Sequence, residues 1–124
     1  MKQITHLING VMVPGTSGRT SPVYNPATGH QIGELPLASV AEVDTAVASA
    51  QAAFEQWKTV SIAKRTKLMF NYRNLVVEKA DEIAARLTAE HGKVLSDAGG
   101  EVARAIENIE FACGLADHLK GSYS

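Results

Sequence analysis

EHGKVLSDAGGEVARAIENIEFACG, residues 90–114, reads as a Gly-Lys turn running into a helix with an arginine and a phenylalanine on its polar side. At roughly 100° per residue, Val102, Ile106, Ile109 and Cys113 share one face and Arg104 points the opposite way. Phe111 falls about 20° from Arg104, with Asp97, Asn108 and Leu115 close by. The outer face of a small domain's helix ordinarily carries charge and short polar groups. An aromatic and a leucine beside an arginine point instead to a surface that meets a substrate or more protein.

Around this segment the chain reads as a mixed α+β or α/β fold: N-terminal strands with a hairpin, then three helices. Residues 1–38 form the β segment and residues 39–124 the helical one. Leu7-Ile8 and Val11-Met12-Val13 flank Asn9-Gly10, a pair that supplies the positive φ angles of a type I′ turn. Pro14 to Gly18 breaks regular structure. Val23-Tyr24 is extended, Asn25-Pro26-Ala27-Thr28-Gly29 is a turn, and Gln31 to Leu37 is a further strand ending near Pro36.

The first helix opens on a Ser39–Glu42 capping box. Its stripe of Val40, Val43, Val47, Ala50, Phe54 and Trp57 recurs at steps of three and four. The second helix runs from Ser61 to about His91, with a candidate break at Lys79–Asp81, and stops at Gly92 in the left-handed C-terminal conformation. Its apolar residues from Leu68 to Leu87 cover roughly 200°, against the ~100° of a surface helix, so it needs cover on two sides. The third helix starts near Ser96 or Asp97 and ends before Gly121. Gly99 and Gly100 in its first turn cost about 1 kcal/mol each relative to alanine, which implies a close backbone contact there.

Composition excludes several classes. The chain has 124 residues, 45% hydrophobic, a formal net charge of -1 and one cysteine. Nothing in that balance favours a nucleic-acid or anionic-membrane partner, and a disulfide framework is impossible. The start, MKQITHLING, has no continuous apolar stretch of signal-peptide length and no apolar run reaches membrane-span length, so neither a leader nor a span is expected. A cytoplasmic location is expected.

Little in the sequence carries chemistry by itself. Cys113 centres the apolar stripe of the third helix with no cationic neighbour on its own face, so it reads as structural. His6, His30, His91 and His118 match no metal spacing, and no metal is expected. Gly92-Lys93 lacks both the upstream glycine and the following Ser or Thr of a phosphate-binding loop, and no GxGxxG occurs. Lys64, Arg65 and Lys67 read as a solvated helix turn. Glu101 and Glu107 flank Arg104 at i−3 and i+3, where exposed ion pairs form routinely. A structural role for Arg104 therefore competes with ligand binding.

The chain resembles the N-terminal part of the aldehyde dehydrogenase superfamily. The resemblance rests on Asn25-Pro26-Ala27-Thr28-Gly29, Ala53-Phe54 with Trp57, Arg65 with Leu68, Ala80-Asp81-Glu82, and Glu90-His91-Gly92-Lys93 followed by Gly100-Glu101-Val102, in that order and spacing. HGKVLSDAGGEV, ARAIENIEFACG and LKGSYS look like the acylating methylmalonate-semialdehyde dehydrogenases. Those enzymes oxidise a carboxylated aldehyde with NAD, pass the acyl group from a cysteine to coenzyme A, and lose carbon dioxide. Gly99 beside Gly100 departs from the family's lone glycine before Glu-Val.

The resemblance implies that residues 1–124 are an incomplete piece of the family's NAD-binding domain. Family members are several-fold longer, so the nucleophilic cysteine, the general base and the NAD-binding strands are expected outside this chain, and Cys113 does not match the nucleophile's motif. NAD and coenzyme A are expected for the parent enzyme and neither for this chain alone. A homo-oligomer is expected for the parent and self-association for the fragment. One residue carries over: Arg104, in GEVxRxxE, as a group that binds the substrate carboxylate, with Phe111 and Leu115 as channel wall. Two alternatives stand beside this reading. One is a catalytically silent truncated domain, and the other is an aldehyde dehydrogenase of different specificity in which Arg104 is only structural.

Overall fold

A computed structural model describes residues 2–122. The chain divides into two compact units, Met1–Thr59 and Val60–Ser124.

In the first unit, β2 (His6–Ile8) and β3 (Val11–Val13) form an antiparallel hairpin in the register His6–Val13, Leu7–Met12, Ile8–Val11. The connecting Asn9 and Gly10 have φ of 52° and 74°, as the type I′ turn requires. A second sheet places β5 (Gln31–Pro36) between β4 (Thr20–Tyr24), antiparallel to it, and the short β1 (Lys2–Gln3), parallel to it. The strand expected at Val23-Tyr24 thus extends back to Thr20, and β1 adds an edge that no local pattern announces. The β4–β5 turn closes on Asn25, whose Oδ1 accepts from the Ala27 N–H at 2.8 Å. Gly29 completes it with φ of 71°.

α1 (Val40–Trp57) starts at the expected capping box. The Ser39 N–H donates to Glu42 Oε2 at 2.7 Å, and the Glu42 N–H donates to Ser39 Oγ at 3.3 Å. Glu42 Oε1 also accepts from the Thr16 N–H at 2.8 Å, tying the loop after the hairpin to the helix start. The valine–aromatic stripe of α1 is exposed: Val47 retains 60% of its surface and Phe54 56%.

In the second unit the second and third expected helices become four. α2 (Ile62–Glu78) starts at Ser61, whose side chain accepts from the Lys64 N–H. The helix breaks at Lys79, with φ −99° and ψ 10°. α3 (Ala80–His91) opens there with Asp81 and Glu82 in its first turn, where carboxylates complement the exposed amides. It ends at Gly92 in the left-handed conformation, φ 84°, as expected. α4 (Leu95–Cys113) begins one or two residues earlier than Ser96 or Asp97. Its N-cap is Val94, with no side-chain cap bond. α4 stops at Gly114, and a single further turn, α5 (Leu115–His118), follows.

α3 and α4 pack through small residues. Ala84 and Ala98 are 4% and 0% exposed and join Val102 in one cluster, flanked by Ala80, Leu87 and Ile106. No large side chain is fully buried among the described residues. The broad apolar arc of the second helix is correspondingly open, with Phe70, Tyr72 and Leu75 about half exposed. The close contact expected at Gly99 and Gly100 is not found: a Cβ at either position would meet nothing within 4 Å among the described residues.

Candidate functional site

α4 carries the candidate residues. Val102 and Cys113 are buried and Ile106 and Ile109 partly so, which fixes the inward face and leaves Arg104 exposed on the other. Asn108, one turn on, turns its amide back to the helix, Nδ2 donating to the Arg104 carbonyl at 2.9 Å. Phe111 is 70% exposed and meets His118 edge-on, with ring centroids 4.3 Å apart. Leu115 lies beyond the break at Gly114 and is half-buried, so its direction is set by α5 and not by the α4 wheel.

The ion pairs expected between Arg104 and Glu101 or Glu107 do not form. Among the described residues the Arg104 guanidinium has no ion pair. Glu101 is taken instead by Lys93, just upstream of the helix, whose Nζ contacts Glu101 Oε1 and also Asp97 Oδ2 at 2.8 Å. The Lys93 side chain is only 13% exposed, low for a lysine. The hydrogen bond to Asp97, and then that to Glu101, holds the ammonium above its ordinary pKa. The same bond from Lys93 lowers the Asp97 carboxyl, and Arg104 adds a smaller through-space contribution. The i, i+4 spacing of Lys93 and Asp97 is visible in the sequence. The longer reach to Glu101 is not.

On the inward side, a cavity of about 450 Å³ is lined by Phe70, Arg73, Asn74, Glu110, Cys113 and Gly114. Arg73 bridges it to α4, with Nε and Nη2 donating to Glu110 Oε1 at 2.9 and 2.5 Å. Arg104 is not among its lining residues, so this hollow and the candidate carboxylate site are separate.

The aldehyde dehydrogenase family profile matches residues 12–124. The chain belongs to this family. It is 44% identical over 120 residues to malonate-semialdehyde dehydrogenase 3 of Geobacillus kaustophilus, covering 97% of this chain and 25% of the relative. The crystal structure of methylmalonate-semialdehyde dehydrogenase from Oceanimonas doudoroffii superposes with a TM-score of 0.92 at 44% identity, over 98% of this chain and 25% of that one. A Sinorhizobium meliloti chain described as a methylmalonate-semialdehyde dehydrogenase and complexed with NAD gives 0.93 at 37% identity, over 100% of this chain and 25% of that one. This aldehyde dehydrogenase chain therefore spans a quarter of the length of the relatives it matches. No described helix is long and apolar enough to cross a membrane.

Proposed function

We propose that this chain supplies the opening quarter of an NAD-dependent, coenzyme A-acylating dehydrogenase of malonate or methylmalonate semialdehyde, with Arg104 as a grip for the substrate carboxylate. The observation that carries the reading is the exposed Arg104 guanidinium, without an ion pair among the described residues, in a chain 44% identical to a malonate-semialdehyde dehydrogenase. A guanidinium stays charged at any working pH and presents parallel N–H donors that match both oxygens of a planar carboxylate. Two such bonds fix the far end of a three-carbon aldehyde and so orient its carbonyl. Phe111 would contribute channel wall beside it, and Leu115 likewise from the start of α5.

On this reading neither NAD nor coenzyme A is held by this chain alone. No GxGxxG follows any of its strands, and the one Gly-Lys turn, at Gly92, has its lysine engaged with Asp97 and Glu101. The nucleophile, the general base and both cofactor sites are assigned to the part of the family fold that this chain does not cover.

A chimera in which this chain replaces the matching quarter of the Geobacillus enzyme tests the proposal. Arg104→Leu should lower kcat/KM for malonate semialdehyde about a hundredfold or more relative to propanal, which lacks the carboxylate. Equal losses on both aldehydes would return Arg104 to a structural role.

A further inference from the structure

We infer that Lys93 is a positioning residue for the carboxylate grip: by holding Glu101 it keeps that carboxylate off Arg104 and leaves the guanidinium open to an anionic substrate. The inference rests on the reading of Arg104 given above.

Three acids share the Arg104 side of α4, namely Asp97, Glu101 and Glu107, and they are not equivalent competitors. Asp97 is two turns away. Glu107 follows Arg104, the weaker order for a helical acid–base pair, whereas Glu101 precedes it by three residues, the favoured order. Glu101 is therefore the acid that would pair with Arg104 by default. A substrate carboxylate would then have to displace it.

Lys93 removes that competitor. Its Nζ contacts both Glu101 and Asp97, and at 13% exposure its side chain lies against the protein rather than sweeping through solvent. Val94 gives α4 no side-chain cap, so Lys93 is held at this helix start by its two acids. The raised Lys93 and lowered Asp97 pKa values agree with a clamp that stays charged at neutral pH. Glu107, exposed and outside the clamp, makes no ion pair among the described residues.

The test uses the chimera and the chain itself. In the chimera, Lys93→Met should raise KM for malonate semialdehyde about two- to fivefold, the range of one exposed ion pair, with propanal kinetics and kcat unchanged. Adding Glu101→Gln should restore KM, because the released competitor is then neutral. A merely structural Lys93 predicts the opposite: the double variant is no better than Lys93→Met, and both aldehydes suffer alike. Lys93→Arg should keep KM near the parent value. If Arg104→Leu shows the selective loss but Lys93→Met does not, the grip stands and the inference falls. If Arg104→Leu shows no selectivity, the grip reading falls and takes the inference with it. In the chain itself, the Arg104 Nε–Hε NMR signal should become protected from exchange in Lys93→Met and not in Lys93→Met/Glu101→Gln. An unchanged signal in Lys93→Met overturns the inference independently of activity.

Discussion

Glu42 Oε2 accepts from the Ser39 backbone N–H at 2.7 Å and from Ser39 Oγ at 2.8 Å, while Oε1 accepts from Thr16. One carboxylate therefore closes the start of α1 and anchors the loop that follows the hairpin. The Ser39 backbone bond, then the Ser39 hydroxyl, with a smaller contribution from Thr16, lowers the Glu42 pKa from 4.5 to about 2, against a modest opposing effect of desolvation. A carboxyl depressed in the folded state adds stability above its unfolded pKa, and that stability is lost as pH falls through the folded one. Stability should accordingly decline between about 4.5 and about 2, and Glu42→Gln should flatten that part of the profile. Circular-dichroism unfolding at stepped pH would show it. An unchanged slope in the variant would place the acid sensitivity elsewhere.

Ser39→Ala removes the other half of the box. The expected loss is about 1 kcal/mol, the usual cost of an N-cap hydroxyl, read from urea unfolding followed by helix signal. Ser61, which caps α2 through one bond at 3.4 Å, should cost less when replaced by alanine.

Ala84 and Ala98 set how closely α3 and α4 approach. Ala98 is fully buried in a cluster built from side chains no larger than valine. Ala98→Leu adds three carbons where the neighbours cannot retreat without separating the helices, so a loss of about 1–3 kcal/mol is expected. Gly99→Ala, one residue on, meets nothing within 4 Å and replaces a poor helix former. It should stabilise the chain by up to about 1 kcal/mol, measured in the same urea titrations.

These residues also show what could be read from sequence and what could not. The hairpin at Asn9-Gly10, the Ser39–Glu42 box, the helix start at Ser61 and the stop at Gly92 are local chemistries, each fixed by two to four residues, and all form as expected. β1 was invisible because two residues gain strand geometry only by pairing with Gly33 and Glu34, some thirty positions away. The start of α4 differs from the expected Ser96 or Asp97 because the chain turns at Val94, where Lys93 binds the acids of the first two turns. Helical spacing likewise suggested Glu101 as a partner for Arg104, but spacing along one helix cannot register a lysine reaching in from outside it. Glycines 99 and 100 suggested a close neighbour, and none lies near them among the described residues.

Exposed apolar side chains bear on assembly. Val47 and Phe54 on α1, with Leu68, Phe70 and Leu75 on α2, keep half or more of their surface. Patches of this kind drive association in water. The chain is expected to sediment as a concentration-dependent mixture, and Val47→Asp/Phe54→Asp should shift it toward monomer. A single species at all concentrations would count against the idea that these faces need cover.

Arg104→Lys separates charge from geometry at the proposed carboxylate grip. If charge alone matters, an ammonium at position 104 should serve about as well as the guanidinium, and KM for malonate semialdehyde should return to the parent value. A planar, two-point grip predicts less. Lysine keeps the positive charge but offers a compact, strongly hydrated head that cannot meet both oxygens in parallel, so only part of the roughly hundredfold loss in Arg104→Leu should be recovered. The remaining deficit should appear for malonate and methylmalonate semialdehydes and not for propanal, because propanal has no carboxylate to orient. It should also fall on kcat as well as KM, since a substrate held at one point samples more orientations around its reacting carbonyl. Steady-state kinetics on the three aldehydes with the chimera decide it. Full recovery by lysine would leave a simple electrostatic attraction, with no role for the fork of the guanidinium.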